Sequence, residues 1–285
     1  MTFKTLIILL ILFSFGCKKE VVKDVIPSLE NKIETTQAFS IGEVETYHSE
    51  VLNEDRVLNI YLPNSYQNDT TKTYPVIYLL DGSKDEDFIH IAGLVQFGSF
   101  SWINMLPETI VVGISNIDRK RDFTYPSNNQ KDNDELPTSG SSEKFINFIE
   151  QELQPYITNN YRITETKTLI GQSLGGLLAT EILFKKPELF NNYIIVSPSL
   201  WWDDESLLKF IPKPYLDEKH VFIAVGEEGP LMKRVANELH QKLSLIKTDN
   251  TKLDFKFLAD QDHGDALHLG AYFAFETIFK KDFIN

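Results

Sequence analysis

The chain has 285 residues, 42% hydrophobic and 24% charged, with 14 Gly and 12 Pro scattered along it. It can therefore bury a sizeable core and is not a disordered, collagen-like or low-complexity protein. Lys and Arg number 28 against 41 Asp and Glu, a formal charge of −13, and no Lys/Arg-rich run offers the phosphate contacts that dominate nucleic-acid affinity, so nucleic acid is not an expected partner.

At the N-terminus, residues 1–16 carry one charge, Lys4, before an apolar run from Leu6 to Phe13, and the chain turns polar at Cys17-Lys18-Lys19-Glu20. The pattern reads as a secretion signal, and the run falls short of the roughly 20 apolar residues that a membrane span needs. Cys17 is the only cysteine, so an intrachain disulfide is impossible. It follows Gly16 at the hand-over from apolar to polar sequence, and this arrangement resembles a bacterial lipoprotein signal, with Ser14 standing where that pattern prefers Leu. The resemblance implies cleavage before Cys17, lipidation of its sulfur, and an exported protein held by that anchor at the membrane of the cell envelope. Residues 17–38, with the polar stretch after Cys17, read as a lipidated tether, and residues 39–285 as the folded domain.

Short apolar, β-branched segments then recur: Val57 to Leu62, Val76 to Leu80, Thr109 to Ile114, Thr168 to Ile170, Tyr193 to Val196, Val221 to Val225 and Phe255 to Leu258. Helical patterns alternate with them, at Glu143 to Tyr156, Leu174 to Lys185, Val235 to Ile246 and Ala266 to Phe279. Strands alternating with helices predict an α/β domain with a mainly parallel sheet covered on both faces.

The chemistry centres on Gly171-Gln172-Ser173-Leu174-Gly175, which follows the apolar Thr168-Leu169-Ile170 and opens a helix. This is the strand, tight turn and helix of a G-x-S-x-G nucleophile elbow, with Ser173 at its point. A serine hydroxyl needs a base, and the chain order Ser, acid, His places that histidine after the last strand. His263, in the polar loop Asp260 to Asp265, fits better than His268, which falls inside the final helix pattern. The acid belongs after Val221 to Val225, where Glu227 and Glu228 are adjacent. Successive turn residues point in different directions, so one of the two should serve; Glu228 is preferred, with Glu227 the alternative and Asp203 or Asp204 weaker substitutes. Backbone donors for an oxyanion are expected at Leu174, after the nucleophile, and in the turn Asp81-Gly82-Ser83. Neither a cofactor nor a metal is expected: the acidic loop around His263 lacks the ligand spacing of a calcium site, and no His-Glu-x-x-His occurs.

With these residues assembled, the sequence from about residue 40 onward resembles the putative-esterase family of α/β-hydrolases, which includes siderophore esterases, feruloyl esterases and related acyltransferases. The carriers are Tyr78-Leu79-Leu80-Asp81-Gly82, Thr109 to Ile114, Arg119 to Thr124, GQSLGGLLA at 171–179, SPSLWWD at 197–203 and His263-Gly264. The resemblance implies the α/β-hydrolase fold and hydrolysis of a small-molecule or glycan-linked ester through an acyl-enzyme. Its siderophore-esterase branch makes Arg121 and Trp202 candidates for substrate contact, against a salt-bridged arginine and a packing tryptophan. An acyltransferase, or a non-catalytic binding protein on the same scaffold, would share most of these features.

Overall fold

The structure is a computed structural model and describes residues 35–280. The signal at 1–16, Cys17 and most of the tether lie outside the described residues; positions 35–38 form neither helix nor strand.

Eight strands form one sheet: β1 (Glu43–Ser49), β2 (Glu54–Tyr61), β3 (Tyr74–Leu79), β4 (Ile110–Ile114), β5 (Ile163–Gln172), β6 (Asn192–Val196), β7 (Lys219–Gly226) and β8 (Thr251–Leu258). Their order across the sheet is β1-β2-β4-β3-β5-β6-β7-β8. The β1–β2 and β2–β4 pairs are antiparallel and every later pair is parallel. Parallel neighbours require crossovers, and helices supply them: α1 (Phe88–Gly98), α2 (Arg119–Phe123), α3 (Gln130–Glu135), α4 (Ser142–Phe148), α5 (Gln154–Asn160), α6 (Leu174–Lys185), α7 (Trp202–Lys209) and α8 (Gly229–Ile246), while α9 (Ala266–Phe279) follows the last strand. A turn of π-helix at Ile149–Leu153 joins α4 to α5. The predicted helix from Glu143 to Tyr156 is this composite.

Central strands covered on both faces read as continuous apolar runs rather than alternating ones. Accordingly every residue of β4, Ile-Val-Val-Gly-Ile, and of β6, Asn-Tyr-Ile-Ile-Val, is buried. Two apolar clusters cover the two faces. One gathers α4, α6 and α8 around Tyr78, Leu169 and Ile223, and the other packs α1 and α9 on Ile77, Ile194 and Phe222. This is the α/β-hydrolase fold. The five consecutive parallel strands, together with β4, send their C-terminal ends to one side, where ligands of open α/β sheets bind.

Candidate active site

Ser173 sits between β5 and α6 with φ 59° and ψ −119°, a sparsely populated region for a residue with a side chain that costs about 1–3 kcal/mol. The fold holds it there: its amide donates to the Val196 carbonyl at 3.0 Å and its carbonyl accepts from Ser199 N at 3.0 Å. So tight a turn excludes side chains nearby; a Cβ on Gly171 would lie 2.3 Å from the Gly175 carbonyl oxygen. The Ser173 hydroxyl stays half-exposed, 3.3 Å from Ser199 Oγ.

His263 follows β8 in a loop fixed by its own acids. Asp262 Oδ1 accepts from Gly264 N at 2.7 Å, and Asp265 Oδ1 from Asp262 N at 2.8 Å. Gln172, beside the nucleophile, donates to the His263 carbonyl at 2.5 Å, which ties this loop to the elbow. The ring's Nδ1 lies 2.5 Å from Glu228 Oε2. A carboxylate can only accept, so Nδ1 carries the proton and Nε2 is left with its lone pair. The other carboxylate oxygen of Glu228 accepts from Gly226 N at 2.9 Å and from the Ser197 hydroxyl.

The two adjacent glutamates part company at this turn. Glu228 is turned inward, its side chain 3% exposed, whereas Glu227 is 51% exposed and pairs with Lys233 at 2.6 Å. Burial alone would raise the Glu228 pKa, but hydrogen bonds from His263, Ser197 and the Gly226 amide outweigh it and hold the carboxyl below its ordinary range. The reciprocal hydrogen bond from Glu228 raises the His263 pKa above 6.5, against a smaller lowering by burial. Asp203 and Asp204 are engaged elsewhere, with Asn128 and Asn129.

Ser173 and His263 line one open pocket of about 400 Å³ together with Asp81, Glu86, Asp87, Arg119, Gln172 and Gly264. None of the other histidines lines it; His268 instead packs its ring on His90, centroids 3.8 Å apart. Leu174 opens α6, so its amide is among the N-terminal donors that a helix leaves without an internal partner. In the facing turn the Gly82 amide is committed to the Ile114 carbonyl at 3.0 Å. Gly82 is thereby removed as an oxyanion donor. Ser83 N also has a partner, donating to the Glu86 carboxylate at 3.3 Å, but this acceptor is an exposed side chain rather than the backbone of a strand.

Two sequence expectations are corrected. Arg121 does not reach the pocket: it binds Glu54 at 2.6 and 3.0 Å and Asp122 at 2.7 Å, beside the fully buried Arg56, which holds Asp122 at 2.6 Å. Trp202 is 0% exposed and donates from Nε1 to the Tyr125 carbonyl at 2.9 Å, which makes it a packing residue. The arginine in the pocket is Arg119, which the sequence reading missed although the same segment had been singled out. Its guanidinium grips Asp81 at 2.6 and 3.0 Å and donates to the Gln172 carbonyl at 3.1 Å.

An elbow serine and a carboxylate-bound histidine at one pocket, on the C-terminal side of this sheet, define a serine hydrolase of the α/β-hydrolase class. Residues 49–278 match the family described as Putative esterase, and the chain belongs to that family. It is similar to the ferri-bacillibactin esterase BesA of Bacillus subtilis (strain 168), 30% identical over 251 residues that cover 80% of this chain and 87% of that protein. Among solved structures, an IroE-like serine hydrolase from Shewanella oneidensis superposes with TM-score 0.75 at 29% identity, over 84% of this chain and 80% of that one. The BES protein from Bacillus cereus gives TM-score 0.71 at 29% identity, over 84% and 96%. The protein is a serine hydrolase of carboxylic esters.

Proposed function

We propose that the protein hydrolyses ester-linked siderophores through an acyl-enzyme formed on Ser173. In this reading His263 Nε2 takes the Ser173 proton as the hydroxyl attacks the ester carbonyl, then returns it to the leaving alcohol; water deacylates the serine by the same route. Glu228 holds the tautomer and stabilises the imidazolium. Leu174 N and Ser83 N are the oxyanion donors, the second once the substrate oxygen replaces the Glu86 carboxylate as its acceptor. Arg119, anchored by Asp81, presents its remaining N–H groups to the substrate. The observation that carries the reading is the Glu228–His263 pair, 2.5 Å apart and facing the pocket of the elbow serine. The substrate class is supported by the relatives: besides ferri-bacillibactin esterase, a siderophore enterobactin esterase from Emericella nidulans is 29% identical over 161 residues, 45% of this chain and 53% of that protein.

The test is hydrolysis of ferri-bacillibactin and enterobactin, set against p-nitrophenyl acetate and butyrate, by the parent and Ser173→Ala. Serine-dependent cleavage of the siderophores at a kcat/KM above that for the simple esters is expected. Serine-dependent cleavage of the simple esters alone would refute the substrate class, and full activity in Ser173→Ala would refute the nucleophile.

Export and a lipid anchor at Cys17 are part of the same proposal, supported by the sequence of residues 1–20. Mass spectrometry of the mature protein should find an N-terminal acylated Cys17, and Cys17→Ser should release the protein from the membrane fraction. An unmodified Cys17 would refute the anchor.

A further inference from the structure

One short turn touches both ends of the catalytic array. Ser197-Pro198-Ser199 follows β6 and is buried, Ser197 at 0% and Ser199 at 2% exposure. At one end, the Ser197 hydroxyl donates to Glu228 Oε1, the carboxylate oxygen that does not face His263. At the other, Ser199 Oγ lies 3.3 Å from Ser173 Oγ, and Ser199 N donates to the Ser173 carbonyl at 3.0 Å. The turn is locked in place by Ser197 N to the Ala224 carbonyl at 2.8 Å, and Gly176 lets α6 lie against it, since a Cβ there would stand 3.0 Å from Pro198 Cα.

Ser197 pays a conformational cost to be there. Its φ is 46°, in the left-handed region that favours glycine and disfavours residues with a Cβ. Backbone geometry alone would place a glycine at this position; the hydroxyl is what a glycine could not supply, and its acceptor is the triad acid.

Resting on the Ser173, His263 and Glu228 reading above, we propose that Ser197 and Ser199 are positioning residues, Ser197 directing the Glu228 carboxylate onto His263 and Ser199 fixing the Ser173 hydroxyl for proton transfer. Neither touches the reacting carbonyl. A carboxylate that loses a donor holds a proton more tightly and attracts its imidazole partner more strongly. Loss of the Ser197 hydroxyl therefore moves the acid limb of kcat/KM to higher pH, whereas loss of the Ser199 hydroxyl lowers kcat and leaves that limb in place.

The variants Ser197→Gly and Ser199→Ala would be compared with the parent and with Ser173→Ala, by p-nitrophenyl butyrate kinetics across pH and by thermal unfolding. Ser197→Gly relieves the positive-φ strain, so misfolding does not stand in for lost positioning. Expected is a drop in kcat of about tenfold for each, a small part of the 10²–10⁴-fold that general base catalysis supplies. KM should be unchanged, unfolding midpoints close to the parent, and the acid limb displaced upward in Ser197→Gly alone. Parent-like kcat in both variants, or a loss in Ser197→Gly with the limb unmoved, overturns the inference. If Ser173→Ala is inactive in that case, the esterase mechanism stands and only the positioning roles fall; if Ser173→Ala keeps activity, the mechanism itself is wrong.

Discussion

Replacing Glu228 by glutamine isolates what the buried carboxylate does, because shape and packing are conserved. Oε1 of Glu228 accepts from both the Ser197 hydroxyl and the Gly226 amide, and Oε2 faces His263 Nδ1 at 2.5 Å. A glutamine has one acceptor oxygen and one NH₂. The Gly226 amide can only donate, so the oxygen stays on that side and the NH₂ is turned to His263. Nδ1 must then accept, the ring proton moves to Nε2, and the nitrogen that serves as base in the proposed mechanism can no longer take a proton. A wrong-tautomer histidine costs about 10⁴-fold in kcat in a serine triad, ~5 kcal/mol of barrier. The assay is p-nitrophenyl butyrate hydrolysis across pH, with Glu227→Gln as the matched control. Glu227 is half-exposed and pairs with Lys233, so its variant should stay within about twofold of the parent, as surface ion pairs contribute little. The parent's kcat/KM should be half-maximal on the acid side above pH 6.5, because the Glu228 hydrogen bond raises the His263 pKa and the base works only when neutral. Residual activity of Glu228→Gln should have that limb at lower pH, the anion being gone. Retention of more than a tenth of parental kcat in Glu228→Gln, or a comparable loss in Glu227→Gln, would refute the assignment.

The two arginines of one segment should separate cleanly. Arg119→Lys keeps the charge but cannot grip Asp81 through two nitrogens, and kcat/KM should fall about tenfold while the unfolding midpoint changes little. Arg121→Ala removes one arm of the Glu54–Asp122–Arg56 network; roughly 2 kcal/mol, or about 5 °C in midpoint, should be lost with kcat/KM within twofold. Trp202→Phe leaves the Tyr125 carbonyl without its indole donor and should cost about 1–3 kcal/mol by denaturant unfolding with KM unchanged.

The fold was legible where burial forces a strong pattern. The predicted strands at Val57, Val76, Thr109, Thr168, Tyr193, Val221 and Phe255 fall within β2 to β8 or overlap them by all but an end residue, and Ala266–Phe279 is the observed α9. The edge strand β1, Glu-Val-Glu-Thr-Tyr-His-Ser, was not, because six of its seven residues are at least partly exposed and supply no apolar run. Helix α1 escaped for the opposite reason: Ile89 and Phe97 are exposed apolar residues on a helix whose other face is also apolar, so no amphipathic stripe stands out. In α7, Asp203, Asp204 and Glu205 all have positive φ, a backbone that residue types do not announce. At the site, the elbow and the histidine of the last loop could be read from local motif and chain order, and they do line one pocket. Choosing between Glu227 and Glu228 needed the direction of the turn, which is set by the Gly226 amide and by Ser197 from the turn after β6. Arg121 was a candidate through the family resemblance, which does not resolve side-chain direction: α2 starts at Arg119, and two residues along a helix turn the side chain about 200° away, from the pocket to the β2 side.

The pocket's charge bears on how a siderophore could be held. Asp81, Glu86 and Asp87 line it against one guanidinium, Arg119, so with His263 neutral the lining carries three negative groups and one positive. Burial pushes the Asp87 pKa up to about 6, with Asp81 and Glu86 adding to the rise, so it is still largely ionised at pH 7. The whole chain, at −13, has the same sign. An anionic ester is therefore repelled on approach, and its binding must come from Arg119 and from contacts made after entry. Screening weakens the repulsion as the Debye length shrinks from about 30 Å at 0.01 M salt to about 8 Å at 0.15 M. For an anionic ester kcat/KM should rise several-fold across that range, while for a neutral ester of the same alcohol it stays flat. Glu86→Gln should flatten the anionic curve by removing one of the three charges. A fall in kcat/KM with salt for the anionic ester would mean that the field at the mouth attracts anions, and that Arg119 outweighs the carboxylates around it.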